Sequence, residues 1–186
     1  MGNLRKLATF VLMFGSAFCL TAQQTDIATW KDYTYPASGF AVKAPQQPHE
    51  TGTNSGTQYL LYWDEDNDVV LNLIAERGPI DCAAWERWAK NTFKHSGPKN
   101  AFKYPPSKVS SPVIPVSASG KVATVDGKAV IEADAPRNAI QDGYQRHECA
   151  NGKLYHFEAG WRKGERKPEV VDEVIKTFTV LPSDTK

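Results

Sequence analysis

The sequence predicts an α+β domain, an antiparallel sheet of hairpins with helices packed on it. Three observations carry this reading. The dipeptides Asp126-Gly127 and Asn151-Gly152 each separate two segments rich in strand formers. Both favour the tight type I′ turn, because Asn, Asp and Gly accept positive φ. Two further runs, 58–63 (QYLLYW) and 69–75 (VVLNLIA), flank the acidic stretch Asp64-Glu65-Asp66-Asn67-Asp68 and read as another hairpin. Between these blocks Cys82, Trp85, Ala89 and Phe93 recur at i, i+3, i+7 and i+11, a helical stripe made to lie on a sheet.

Taken in order, the chain begins with Arg5 and Lys6, followed by the apolar run 7–20 (LATFVLMFGSAFCL). That run has the length of a secretory h-region and is too short to span a bilayer. Ala22 precedes the polar QQTD, so the sequence predicts an export signal over 1–22, cleaved between Ala22 and Gln23. A single domain over 23–186 follows, with a periplasmic or secreted location. Leu20 departs from the small residue usual at such a site. Lipid anchoring through Cys19 is disfavoured, because bulky Phe18 stands where a small residue is needed.

The segments 30–35 (WKDYTY) and 40–43 (FAVK) alternate around Pro36-Ala37-Ser38-Gly39 and predict a first hairpin. Pro45 and Pro48 end it and open a loop expected to run through Gly52, Asn54 and Gly56. Pro79 breaks the strand 69–75. Asp81 is placed to cap a helix whose last turn holds Lys94 and His95 before Gly97. The stretch 97–120 carries Pro98, Pro105, Pro106, Pro112 and Pro115, which predict irregular structure. Hairpins 121–125/128–133 and 144–150/153–160 follow. Pro168 is placed as the first residue of a closing helix. Val170, Val171, Val174, Ile175 and Phe178 give that helix a narrow apolar face.

Removing 22 residues from 186 leaves 164, enough for one domain with a real core. Arg5 and Lys6 leave with the signal, so 20 basic residues face 21 acidic ones, a net charge of −1. Such balance predicts no nucleic-acid partner and no polybasic membrane patch. No second long apolar run follows, so no transmembrane segment is expected in the mature chain. Cys82 and Cys149 remain, and an even pair in an exported protein predicts a disulfide between them.

Gly39-Phe40-Ala41-Val42-Lys43-Ala44-Pro45 resembles the opening of many exported bacterial domains of the PsbP-like superfamily. Pro48 fits the P-x-x-P form of that opening. The hairpin Gly152-Lys153-Leu154-Tyr155 and the closing Thr177-Phe178 resemble its end. The resemblance spans roughly 30–181. It implies an α/β/α sandwich around an antiparallel sheet and little about activity. Relatives serve as photosystem assembly or extrinsic subunits, as transport cofactors and as uncharacterised exported proteins. The superfamily has no shared catalytic residues to carry over.

Three constellations compete with bland readings. Asp64, Asp66 and Asp68 match the start of an EF-hand loop, but Val69 and Ala75 stand where such a loop needs Gly and Glu. A solvated hairpin tip is the better reading. A two-residue turn at Asn151-Gly152 puts His147 directly opposite His156, about 5 Å apart at Cβ, with Cys149 on the same face. That is a weak zinc or copper candidate against an ordinary cross-strand pair. Trp30, Trp63, Trp85, Trp88 and Trp161 suit a core more than a ligand platform. Trp88 lies off the helix stripe and is the weak candidate contact residue.

No hydrolase, metalloprotease, Walker or dinucleotide motif is present. The expected function is therefore that of an exported non-enzymatic domain binding a protein partner or envelope component, without a cofactor. The alternative is a metal- or small-ligand-binding protein using His147 and His156, and an enzyme with an unrecognised site ranks third.

Overall fold

The computed structural model describes residues 27–93, 121–125, 127–134 and 137–182, with the side chains of Thr92 and Phe93 left out. The expected export signal with cleavage after Ala22, the Cys19 question and the irregular stretch 97–120 lie outside the described residues. A 3-10 turn at Ile27–Thr29 leads into β1 (Lys31–Tyr35), β2 (Phe40–Ala44), β3 (His49–Gly52), β4 (Gly56–Asp64) and β5 (Val69–Glu76). Then come α1 (Cys82–Phe93), β6 (Lys121–Val125), β7 (Lys128–Asp134), β8 (Gln141–Ala150), β9 (Lys153–Arg162), α2 (Glu169–Thr177) and β10 (Thr179–Val180). The architecture is the expected antiparallel α+β one. The strands divide between a small sheet, β1-β2-β10, and a large one, β3-β4-β5-β9-β8-β7-β6.

Period-2 alternation gives the large sheet two different faces. On one face Leu71, Leu73 and Ala75 of β5 lie opposite Ala159, Phe157 and Tyr155 of β9. They share a core with Phe40 and Val42 of the small sheet and with Val170, Val171, Val174 and Ile175 of α2. Phe40 meets Tyr59 edge-on with ring centroids 4.9 Å apart. On the other face Ala129, Ile131, Cys149 and Leu154 form a second, smaller core under Trp85 and Ala89 of α1. The two helices therefore cover opposite faces of one sheet.

The local signals act as their chemistry requires. Asn151 (φ 50°) and Gly152 (φ 71°) both take positive φ between the paired Ala150 and Lys153, the geometry of a type I′ turn. Gly127 (φ 76°) does the same between Val125 and Lys128. Asp81 caps α1, its Oδ1 accepting the Ala84 N–H at 2.9 Å. Trp85 and Ala89 of the predicted stripe are buried, while the Phe93 side chain lies outside the described residues.

Three sequence expectations need correction. The loop expected through Gly52 is instead strand β3, four exposed residues that pair with β4 from His49↔Leu60 to Gly52↔Thr57. Its side chains bury nothing, so no apolar alternation could announce it; backbone pairing alone holds it. A tight turn follows, in which Thr53 accepts the Gly56 N–H on its Oγ1 at 3.0 Å. Gly56 itself is required, because a Cβ there would stand 2.0 Å from the Ala75 carbonyl oxygen.

The other two corrections concern α2. Pro168 is not the first helical residue but the N-cap, with extended ψ of 136°, and its carbonyl accepts the Val171 N–H. Phe178, expected on the helix's apolar face, is instead its extended C-cap, with ψ of 128°. Thr179 and Val180 pair with Ala41 and Phe40 and complete the small sheet. Thr177 fastens this return: its Oγ1 accepts the Lys43 N–H at 3.0 Å and lies 2.8 Å from the Val174 carbonyl oxygen, to which it donates. Thr177→Val is expected to lose about 1 kcal/mol of stability, read as a lower urea midpoint at unchanged slope. An unchanged midpoint would show that the hydroxyl only decorates the joint.

Candidate functional site

The β8–β9 hairpin sets His147 directly opposite His156, as its turn dipeptide predicts. Both imidazoles are fully buried, at 0% exposure. Their Nδ1 atoms lie 2.6 Å apart and the rings meet edge-on at 80°. A third group joins them. Glu76, the last residue of β5, is buried on the same face, with Oε1 2.8 Å from His156 Nε2. The three form a chain, carboxyl to imidazole to imidazole, across β5, β9 and β8.

Each gap in the chain holds one proton. Two bare lone pairs at these distances would repel, and two hydrogens would clash. Burial decides where the charge goes. It pushes the Glu76 carboxyl up to about 7. It holds His156 down at about 3. Burial, with His156 alongside, holds His147 well below the usual histidine range. Every member thus favours its neutral form, because a charge in this dry layer loses its hydration.

Glu76 escaped the sequence reading, which ended the strand at Ala75. Period 2 puts Glu76 on one face with Asn72 and Ile74, but only the pairing of Ile74 with His156 in the folded sheet brings that face to the histidines.

The predicted disulfide is present. Cys82 and Cys149 are bonded with Cα atoms 5.3 Å apart, tying the first residue of α1 to β8. Cys149 therefore offers no thiolate to His147 and His156. Among the described residues, no three His, Cys, Asp or Glu side chains converge as a metal cage. The acidic run 64–68 is a self-closed hairpin tip. Asp64 accepts the Asn67 backbone N–H and, at 2.8 Å, its side-chain amide, and Asn67 holds the Asp64 carboxyl below its ordinary range. Asp68 pairs with Arg162 at 3.0 Å.

The tryptophans separate clearly. Trp30, Trp85 and Trp161 are core residues. Trp88 is half-buried in the α1 layer, its ring 6.5 Å from that of Trp85. Trp63 is 55% exposed. It lies opposite Val70, on the sheet face that α1 shares. α1 packs over β6, β7 and β8, so Leu60, Val70 and Ile74 beside Trp63 stay only half-buried. Arg137 lies over Gly160 at the edge of this patch, where a Cβ would stand 2.6 Å from its Cδ. Ile140, in the β7–β8 connection, is 75% exposed. Period 2 and the bulge at Leu60/Tyr62 set Trp63 outward, and a bulge leaves no mark in a single sequence.

No family model and no curated protein matches the chain. Solved structures do. A crystal structure of a protein from Bacteroides thetaiotaomicron VPI-5482 matches with a TM-score of 0.53 at 12% identity, over 85% of this chain and 51% of that one. The chain thus spans about half the length of that protein, and the likeness is one of fold alone. The solution structure of cyanobacterial PsbP (CyanoP) from Synechocystis sp. PCC 6803 matches with a TM-score of 0.47 at 13% identity, over 84% of this chain and 95% of that one.

Proposed function

We propose that the chain is an exported, non-enzymatic domain that binds a protein partner or an envelope component. The observation that carries the reading is Trp63, an exposed indole with half-buried Val70 opposite it and half-buried Leu60 near it on the same face of the large sheet. Tryptophan is enriched among the few residues that carry most of the binding energy of protein interfaces. Cys82 and Cys149 are bonded to each other, and Glu76, His156 and His147 are buried. A ligand at His147 and His156 would have to displace the layer that covers them.

A disulfide fits an oxidising compartment. Among the described residues no helix is long and apolar enough to cross a membrane. The disulfide supports a periplasmic or secreted domain.

The test is quantitative capture of envelope components by the wild-type protein and by Trp63→Ala. Trp63 is exposed, so the variant should unfold within about 0.5 kcal/mol of the wild type. We expect it to lose at least tenfold in retained partner. Equal capture by the two proteins would move the contact elsewhere.

A further inference from the structure

We propose that Glu76, His156 and His147 form a proton relay, which releases one proton as the pH rises and reverses the hydrogen-bond polarity along the buried chain. It is independent of the partner reading and rests on two short contacts along one line, Oε1···Nε2 at 2.8 Å and Nδ1···Nδ1 at 2.6 Å. Because each gap holds one proton, a change at either end must be passed through both rings.

The two end states follow from counting protons. In the acid state the Glu76 hydroxyl donates to His156 Nε2. His156 Nδ1–H donates to His147 Nδ1, and His147 carries its hydrogen on Nε2. In the basic state the carboxylate accepts from His156 Nε2–H. His156 Nδ1 accepts from His147 Nδ1–H, and His147 Nε2 carries no hydrogen. One proton has left at His147 Nε2 while two have each moved one gap. Both imidazoles stay neutral throughout, and the negative charge appears on Glu76. The alternatives with the same proton number as the acid state, Glu76 carboxylate with either imidazole cationic, separate charges in a dry layer and are disfavoured there.

Among the described residues few other charged groups share this face; Arg137, in the β7–β8 connection, is exposed and lies over Gly160, four residues along β9 from His156. The sheet-facing residues of α1, Cys82, Trp85 and Ala89, carry no charge. Its charged residues turn away: Glu86 and Lys90 pair with each other, and Arg87 is exposed. Among the described residues, those that β4, β6, β7 and β8 contribute to this face are uncharged apart from His147 itself. On β3 the titratable group is His49, exposed on the edge strand. On β9 the remaining charged groups are Glu158, half-buried two residues from His156, and Arg162 at the far end, paired with Asp68. Burial therefore sets the midpoint, and it places Glu76 at about 7.

Nitrogen-15 NMR of the full-length histidine-labelled protein tests the relay between pH 5.5 and 8.5. The expected result is a single midpoint near 7 at which both imidazoles exchange tautomers together and neither becomes cationic. The Glu76 carboxyl carbon should shift with that same midpoint. Glu76→Gln should abolish the transition; should that variant not fold, the wild-type carbon and nitrogen signals decide alone. Tautomers unchanged across the range would overturn the proposal. So would an imidazolium with its own midpoint at His147 or His156, or a transition that survives Glu76→Gln.

Discussion

Lowering the pH from 6.5 to 4.5 is expected to weaken the fold by about 3 kcal/mol, at about 1.4 kcal/mol per unit for one net proton. His147 and His156 are both held low in the folded state. Their contribution is complete above the unfolded value of about 6.5 and is lost as the pH falls. Glu76 runs the other way. Its folded value is raised to about 7, so its contribution is complete below its unfolded value of 4.5 and is lost as the pH rises towards 7. Between 4.5 and 6.5 unfolding therefore takes up two protons at the histidines and releases one from Glu76. Below 4.5 the unfolded chain keeps the Glu76 proton as well, and the slope doubles. Stability should peak between about 6.5 and 7. Urea unfolding at half-unit pH steps measures this directly. Replacing both histidines by glutamine leaves Glu76 alone and should invert the slope between 4.5 and 6.5. A wild-type profile flat over that range would mean the buried chain is not neutral.

Breaking the disulfide is expected to have the largest effect of any single covalent change. Cys82 and Cys149 close a loop with a sequence separation of 67, for which chain entropy gives about 4 kcal/mol. The bond joins the start of α1 to the sheet, and the core beneath α1 is the smaller of the two. Its loss should therefore release α1 before the rest. Comparing the oxidised protein with a Cys82→Ala, Cys149→Ala variant in urea should show a midpoint drop equivalent to about 4 kcal/mol. Hydrogen exchange should show α1 losing protection first. A difference under 1 kcal/mol would show that packing of Trp85 and Ala89 already holds the helix without the bond.

What was legible in the sequence was what side chains announce locally. Asn151-Gly152 specified its turn, and the turn specified the register that sets His147 against His156. Asp81 marked the start of α1, and the stripe of Trp85 and Ala89 marked its buried face. The pairing of Cys82 with Cys149 followed from their being the even pair left once the expected signal is removed. What escaped depends on partners far away in sequence. β3 is held by backbone pairing, so residues 49–52 read as loop. β10 is two residues long and exists because β2 is there to receive it. Glu76 became part of a site only through strand pairing with β9, 80 positions from its partner His156. Trp63 faces outward beyond a bulge, so attention fell on Trp88, which is half-buried.

The order of strands in space also imposes an order in time. β9, at residues 153–162, sits between β5 and β8 near the middle of the large sheet, and β2 waits for residues 179–180 on one edge. A chain emerging from its N-terminus can form its early hairpins, but it can join neither sheet into its final form until almost all of it is out. Such long-range pairing folds slowly. The export proposed above would make use of that delay, because a chain that has not yet folded can still be threaded through a membrane pore.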